Sequence, residues 1–172
     1  MKYFLAFITF LPTISINAQN DSACACCTND HRQFDFWVGD WEVFLNDQLA
    51  GTNTIILMQD SCIIQENWTS VNGKFSGTSY NFYDAHNEQW HQTWVDNQGG
   101  NLQLSGYLEN GSMVLRSSEV MNQKGVPIYH RITWTPNDDG SVRQHWESSP
   151  NSSDQWSSLF DGLYKRKEAG QD

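Results

Sequence analysis

The chain has 172 residues, eight of them tryptophan, and a formal net charge of −10 from 20 acidic against 10 basic side chains. That acid excess suits solubility and argues against nucleic acid or an anionic membrane surface as a partner. The length allows one domain with a real hydrophobic core.

Residues 1–18 read as a secretory signal. Lys2 gives a basic start, Tyr3 to Ile16 is an apolar run interrupted by Pro12, and Ala18 supplies a small residue at the expected cleavage point. The run falls short of the about 20 apolar residues that a bilayer span needs. Cleavage after Ala18 would deliver a secreted or periplasmic protein with no further membrane insertion. Residues 19–33 form an extension carrying Cys24, Cys26 and Cys27, with the fourth cysteine, Cys62, further on. Four cysteines in an exported chain allow three full pairings. One link from the extension to Cys62 would close a loop worth roughly 3 kcal/mol. A metal site is the sharper alternative for this sulfur-dense run, but it lacks the paired half-sites of a zinc ribbon. No metal or other cofactor is expected.

One short helical turn is predicted from Asn29, with Asn29 or Asp30 as its cap. After Gly39 the pattern alternates with period two. Strands are predicted at Asp40 to Asn46, Thr52 to Met58 and Cys62 to Val71, with Gly51 in the first connection. Asn72-Gly73 signals a tight hairpin into Lys74 to Tyr83, and a turn at Asp84 to Asn87 leads to Gln89 to Val95. Leu102 to Leu108 follows, then a second hairpin signal at Asn110-Gly111 and a strand from Met113 to Val120. Pro127 to Trp134, Val142 to Ser148 and Trp156 to Lys165 complete the series, with Pro150 to Asp154 as the last loop. About ten strands with no long crossover make an all-β, antiparallel up-and-down barrel over residues 34–166. Residues 167–172 form a frayed tail.

Alternation assigns the faces. Trp90, Gln92 and Trp94 share one; Cys62, Ile64, Glu66 and Trp68 another; Gly77, Ser79, Asn81 and Tyr83 a third. Ile128, His130, Ile132 and Trp134 align, as do Val142, Gln144 and Trp146. These faces mix aromatic rings with single amides, acids or imidazoles, the composition of a ligand pocket more than of a purely structural core. The expectation is a small, partly apolar ligand. Trp68, Tyr83, Trp90, Trp94, Trp134 and Trp146 would stack on it, and Glu66, Asn81, Gln92 and Gln144 would orient it. A filled core with function on the surface is the plainer alternative, since inward amides also satisfy bulges and strand ends. An enzyme is a third reading, an isomerase or hydrolase with Glu66 or Glu147 as acid/base, provided that both carboxylates point inward. His130, on an apolar face, reads as a hydrogen-bonded core residue. No Ser-His-Asp set, phosphate loop or dinucleotide fingerprint is visible. Oligomeric state is not encoded in any recognisable way.

The segments Phe34-Asp35-Phe36-Trp37-Val38-Gly39-Asp40-Trp41, Trp90 to Asp96, Arg131 to Trp134, Val142 to Glu147 and Phe160 to Tyr164 carry a resemblance. Together they are similar to a bacterial group of exported, uncharacterised proteins placed among the calycin or lipocalin-like barrels. The resemblance covers nearly all of Phe34 to Arg166 and implies fold and export, without an activity to transfer. The chain keeps the opening Gly39-x-Trp41 of lipocalins and lacks their long C-terminal helix. It also implies that Lys165 or Arg166 stacks over Trp41 at the barrel base. No histidine follows His145, so the outline shared with haem-carrying barrels brings no haem.

Overall fold

A computed structural model describes residues 24–122, 124–150 and 155–168. The segment expected to be a signal, the start of the extension, most of the last loop and residues 169–172 lie outside them. Eleven strands follow two short 3-10 turns at Asp30–Arg32 and Asp35–Trp37. They are β1 (Gly39–Leu45), β2 (Gln48–Met58), β3 (Ile63–Ser70), β4 (Ser76–Asp84), β5 (Gln89–Asp96) and β6 (Asn101–Glu109). Next come β7 (Ser112–Arg116), β8 (Val120–Met121), β9 (Pro127–Pro136), β10 (Val142–Ser149) and β11 (Ser157–Arg166). Every pairing is antiparallel. β11 returns to β1, with Val43 opposite Tyr164, and β9 pairs with β10, so ten strands close into a barrel. β8 is a two-residue excursion that pairs only with β9.

Turn chemistry explains where the boundaries fall. Asn110 and Gly111 both have positive φ (49° and 82°) and join β6 to β7 as the expected two-residue hairpin. Asn46 and Asp47 do the same between β1 and β2 (49° and 62°), although neither is glycine. β2 therefore starts at Gln48, and Gly51 lies inside the strand, facing inward, where the sequence suggested a connection. The Asn72-Gly73 turn is wider than predicted. Asn72 Oδ1 accepts from Ser70 Oγ and from the Lys74 N–H, and that local cap widens the connection to residues 71–75, although the Val71 N–H still donates to the Ala50 carbonyl. The stretch Met113 to Val120 divides because Ser117 leaves the ladder: its N–H and its Oγ both bond to the backbone of His130. At the first 3-10 turn neither Asn29 nor Asp30 caps; Thr28 Oγ1 accepts from the His31 N–H and contacts His31 Nδ1 at 2.7 Å.

The barrel has two unlike ends. At the lower end the chain enters at Gly39, and the turns after β2, β4, β6 and β9 gather there. Residues 24–38 lie across this end and drive Phe34 and Trp37, both fully buried, into it. Phe34 stacks on Trp37 (centroids 5.0 Å apart) and meets Trp90 and Trp134 edge-on. Trp41 donates its indole N–H to the Trp37 carbonyl at 2.8 Å. Arg166, not Lys165, covers Trp41, its guanidinium 3.9 Å from the ring, and bonds the Val38 carbonyl. A Cβ on Gly39 would stand 1.8 Å from that guanidinium, and φ is +142°, so only glycine fits.

Two disulfides fasten this lower end. Cys26–Cys62 joins the extension to the β2–β3 turn, and Cys24–Cys27 closes a small ring within the extension. All four sulfurs are thus spent, which overturns the metal reading of the cysteine run. The turn they hold is unusual: Gln59, Asp60 and Ser61 all have left-handed φ between 51° and 68°. Non-glycine residues rarely occupy that region, and seldom in succession. Arg32 donating to the Ser61 carbonyl adds a second tie.

Candidate functional site

The upper half of the barrel is hollow. A cavity of about 250 Å³ is bounded by Glu66, Trp68, Gln92, Trp94, Leu102, Ile132, Gln144, Trp146, Phe160 and Tyr164, and reaches Ser70 and Phe75 at the rim. Strand alternation puts these side chains inside; inward glycines keep the centre open. A Cβ on Gly77 would lie 2.2 Å from the Trp94 ring, one on Gly162 would lie 2.4 Å from Phe160, and one on Gly51 would lie 2.7 Å from Trp68. Each large ring lies back against the wall over a residue with no side chain, so it lines the space without filling it. A bulge between β10 and β11 at Trp146/Glu147 adds a local bend beside the same wall.

Beneath the rings lies a polar floor, midway along the strands. Asn53 Nδ2 donates to Glu66 Oε1 at 2.7 Å, and Ser79 Oγ donates to Glu66 Oε2 at 2.6 Å. Ser79 Oγ in turn accepts from Asn81 Nδ2 (3.0 Å) and Gln92 Nε2 (3.3 Å). Gln92 Nε2 also reaches Asn81 Oδ1 at 2.9 Å. On the far side the Tyr164 hydroxyl donates to Gln144 Oε1 and accepts from Asn53 Nδ2 at 3.3 Å. Glu66 is 4% exposed. Burial in this apolar setting pushes its carboxyl up to about 7, against the opposing pull of the Ser79 and Asn53 hydrogen bonds. Burial, and then the charge of Glu66, raise the Tyr164 phenol well above its ordinary range. Asn53 Oδ1 is buried with no hydrogen-bond partner.

The residues expected at a site divide by height in the barrel. Glu66, Trp68, Gln92, Trp94, Gln144 and Trp146 meet around the cavity. Asn81 is fully buried one layer behind the wall, donating to the Ile64 carbonyl and to Ser79. Trp134 is fully buried in the lower plug. Trp90 and Tyr83 line a separate recess at the lower end, with Asp30, Gln33 and Glu88. The Trp90 indole donates there to Gln33 Oε1 at 3.3 Å, and Tyr83 takes the His31 ring edge-on. These four residues sit away from the hollow half. Glu147 faces outward and is held by Arg131 at 2.9 Å, so no carboxylate pair forms with Glu66. His130 is a core residue: burial lowers its pKa, and Nδ1 accepts from the Trp146 indole at 3.0 Å. That bond places the proton of the neutral ring on Nε2. Tyr164, Phe160, Leu102 and Ile132 join the site without having been singled out. For Phe160 and Tyr164 the signal was present, since Phe160, Gly162 and Tyr164 alternate along β11.

Among the described residues, no group of three or more His, Cys, Asp or Glu side chains is arranged to hold a metal ion. No known protein-family model matches the sequence, and a search of curated proteins finds no significant match.

Proposed function

We propose that this protein is an exported barrel that binds a small, partly apolar molecule in its upper half. The observation carrying this reading is the cavity of about 250 Å³ walled by rings that rest on glycines, with Glu66, Gln92 and Gln144 at its floor. Apolar walls with a few placed polar groups are the usual form of a small-molecule site. Export is supported by the two disulfides, which persist in oxidising compartments, and by the signal-like start of the chain. Membership of the exported calycin-like group belongs to the same proposal. The outward face carries ion pairs such as Arg143–Asp161 (2.7 Å) beside the exposed rings of Tyr80, Phe82 and Tyr107, whereas Trp68, Trp94 and Trp146 line the inside. A membrane-spanning barrel sorts its residues the other way, which favours a barrel standing in water.

Titration with N-phenyl-1-naphthylamine, an uncharged apolar dye, tests the reading. Wild type is expected to bind it with a rise in dye fluorescence, and Ile132→Trp, which fills the cavity from within, is expected to abolish the rise. A folded wild type that gives no enhancement and binds no small indole by calorimetry either would overturn the proposal. Native mass spectrometry of protein purified from its own source then weighs whatever the cavity has retained.

One observation favours a second, enzymatic reading: a carboxyl near 7 lies where a general base works best at neutral pH. Glu66 would act without Glu147. Turnover that disappears in Glu66→Gln would mark it.

A further inference from the structure

Resting on the pocket reading above, the structure assigns a charge to the ligand. We infer that the cavity takes an organic cation: a small molecule with an apolar or aromatic body and a protonated amine that pairs with Glu66.

The hydrogen bonds of the floor favour the ionised form of Glu66, against the desolvation that favours its proton. Ser79 has a single hydroxyl proton, and its oxygen already receives the amides of Asn81 and Gln92. The remaining direction is donation, and the acceptor is Glu66 Oε2 at 2.6 Å. Asn53 gives its N–H to Oε1 and leaves its own carbonyl oxygen without a partner. Both carboxylate oxygens therefore face donors. A buried carboxylate normally has a cationic partner or a metal as well. Here, among the described residues, no Arg, Lys or His lies within ion-pair distance of Glu66. Arg131 and Arg143 are turned outward on their own acids. The other titratable group facing Glu66 is Tyr164, from β11, whose proton is held by burial. His130, from β9, is neutral and lies behind Trp146. Asn53, Ser79, Asn81 and Gln92, from β2, β4 and β5, are uncharged. Among the described residues nothing but a proton neutralises Glu66, which leaves a cationic guest to take the proton's place.

The walls suit the same guest. Trp68, Trp94, Trp146 and Phe160 offer ring faces and edges around the space above the carboxylate, and such rings attract a desolvated ammonium. An anionic guest would face Glu66 and the chain's net charge of −10, and a neutral one would leave the carboxylate uncompensated.

Three indoles of one body and three charges test this by calorimetry on the mature protein at pH 8: tryptamine, tryptophol and indole-3-acetate. Tryptamine is expected to bind at least about tenfold more tightly than tryptophol, with indole-3-acetate the weakest. Glu66→Gln is expected to weaken tryptamine by about 30-fold and to leave tryptophol within about twofold. In wild type, lowering the pH to 5.5 is expected to weaken tryptamine alone by about 30-fold, because a proton then competes for the carboxylate. This last arm needs no variant to fold. Equal affinities for tryptamine and tryptophol, or tryptamine binding indifferent to both pH and Glu66→Gln, would overturn the cation inference and leave the pocket standing. If the uncharged dye binds and no indole does, the inference fails alone. If the dye and all three indoles fail to bind, the pocket reading falls with it.

Discussion

The two halves of this barrel are built from the same residue types and do opposite things with them. Below, Phe34, Trp37, Trp41, Trp90 and Trp134 interlock around the barrel axis and exclude everything else. Above, Trp68, Trp94 and Phe160 lie flat on glycines and leave a space. The lesson concerns neighbours. Trp37 and Trp134 pack against other rings and fill the space, whereas Trp94 is set against the bare backbone of Gly77 and lines it. The polar floor around Glu66 separates the regimes, so stability is concentrated below it and ligand chemistry above it.

Substituting equivalent residues at the two ends should give the largest contrast. Trp37→Ala removes a fully buried ring from the plug and is expected to cost about 4 kcal/mol. For a domain of this size that lowers Tm by about 8–16 °C. Trp94→Ala, at a ring already half open to the cavity, is expected to cost less than half as much while weakening ligand binding. Equal losses in a thermal melt would erase the distinction between the two ends. A somewhat smaller effect is expected from the Cys26→Ser/Cys62→Ser double variant. Opening a link that spans 36 residues should cost about 3–4 kcal/mol, visible in urea unfolding, and should speed hydrogen exchange in residues 24–38 before the upper strands.

The smallest effect is the pH dependence set by Glu66. Its folded pKa is raised from 4.5 to about 7, so the folded state holds this proton more tightly than the unfolded chain does. Its contribution to stability is fully present below about pH 4.5. It is lost as the pH rises through about 7, amounting to about 3 kcal/mol above that point. Glu66→Gln should flatten this portion of the stability profile and be the more stable form at pH 8. A wild-type profile that rises across that interval with the variant's slope unchanged would contradict the buried-carboxylate account.

Much of this was legible in the sequence because a strand's parity is legible. The inward sets on β3, β4, β5, β9 and β10 are the faces that alternation gives, and parity alone also puts Glu147 opposite to Trp146, on the outside. Depth along the axis is not carried by parity. Trp94 and Trp90 share one face of one strand, yet the first walls the cavity and the second seals the base. Which of them does which depends on where residues 24–38 fold back, a long-range event with no local pattern. Gly51 misled for a related reason. Glycine marks turns and also marks close approach inside a strand, and here the Thr69 carbonyl and the Trp68 ring, which a Cβ would meet at 2.2 and 2.7 Å, decide between the two.

Those inward glycines have a consequence for how such a protein changes over time. Gly77 and Gly162 have no left-handed φ to protect, and the atoms that an added methyl would meet first there belong to rings, not to backbone. A single added methyl group would tip an indole or phenyl ring off the wall and reshape the chamber, although the methyl itself never meets the guest. Selectivity can therefore drift through positions that touch no ligand, and a survey confined to contact residues would overlook the residues that set the mould.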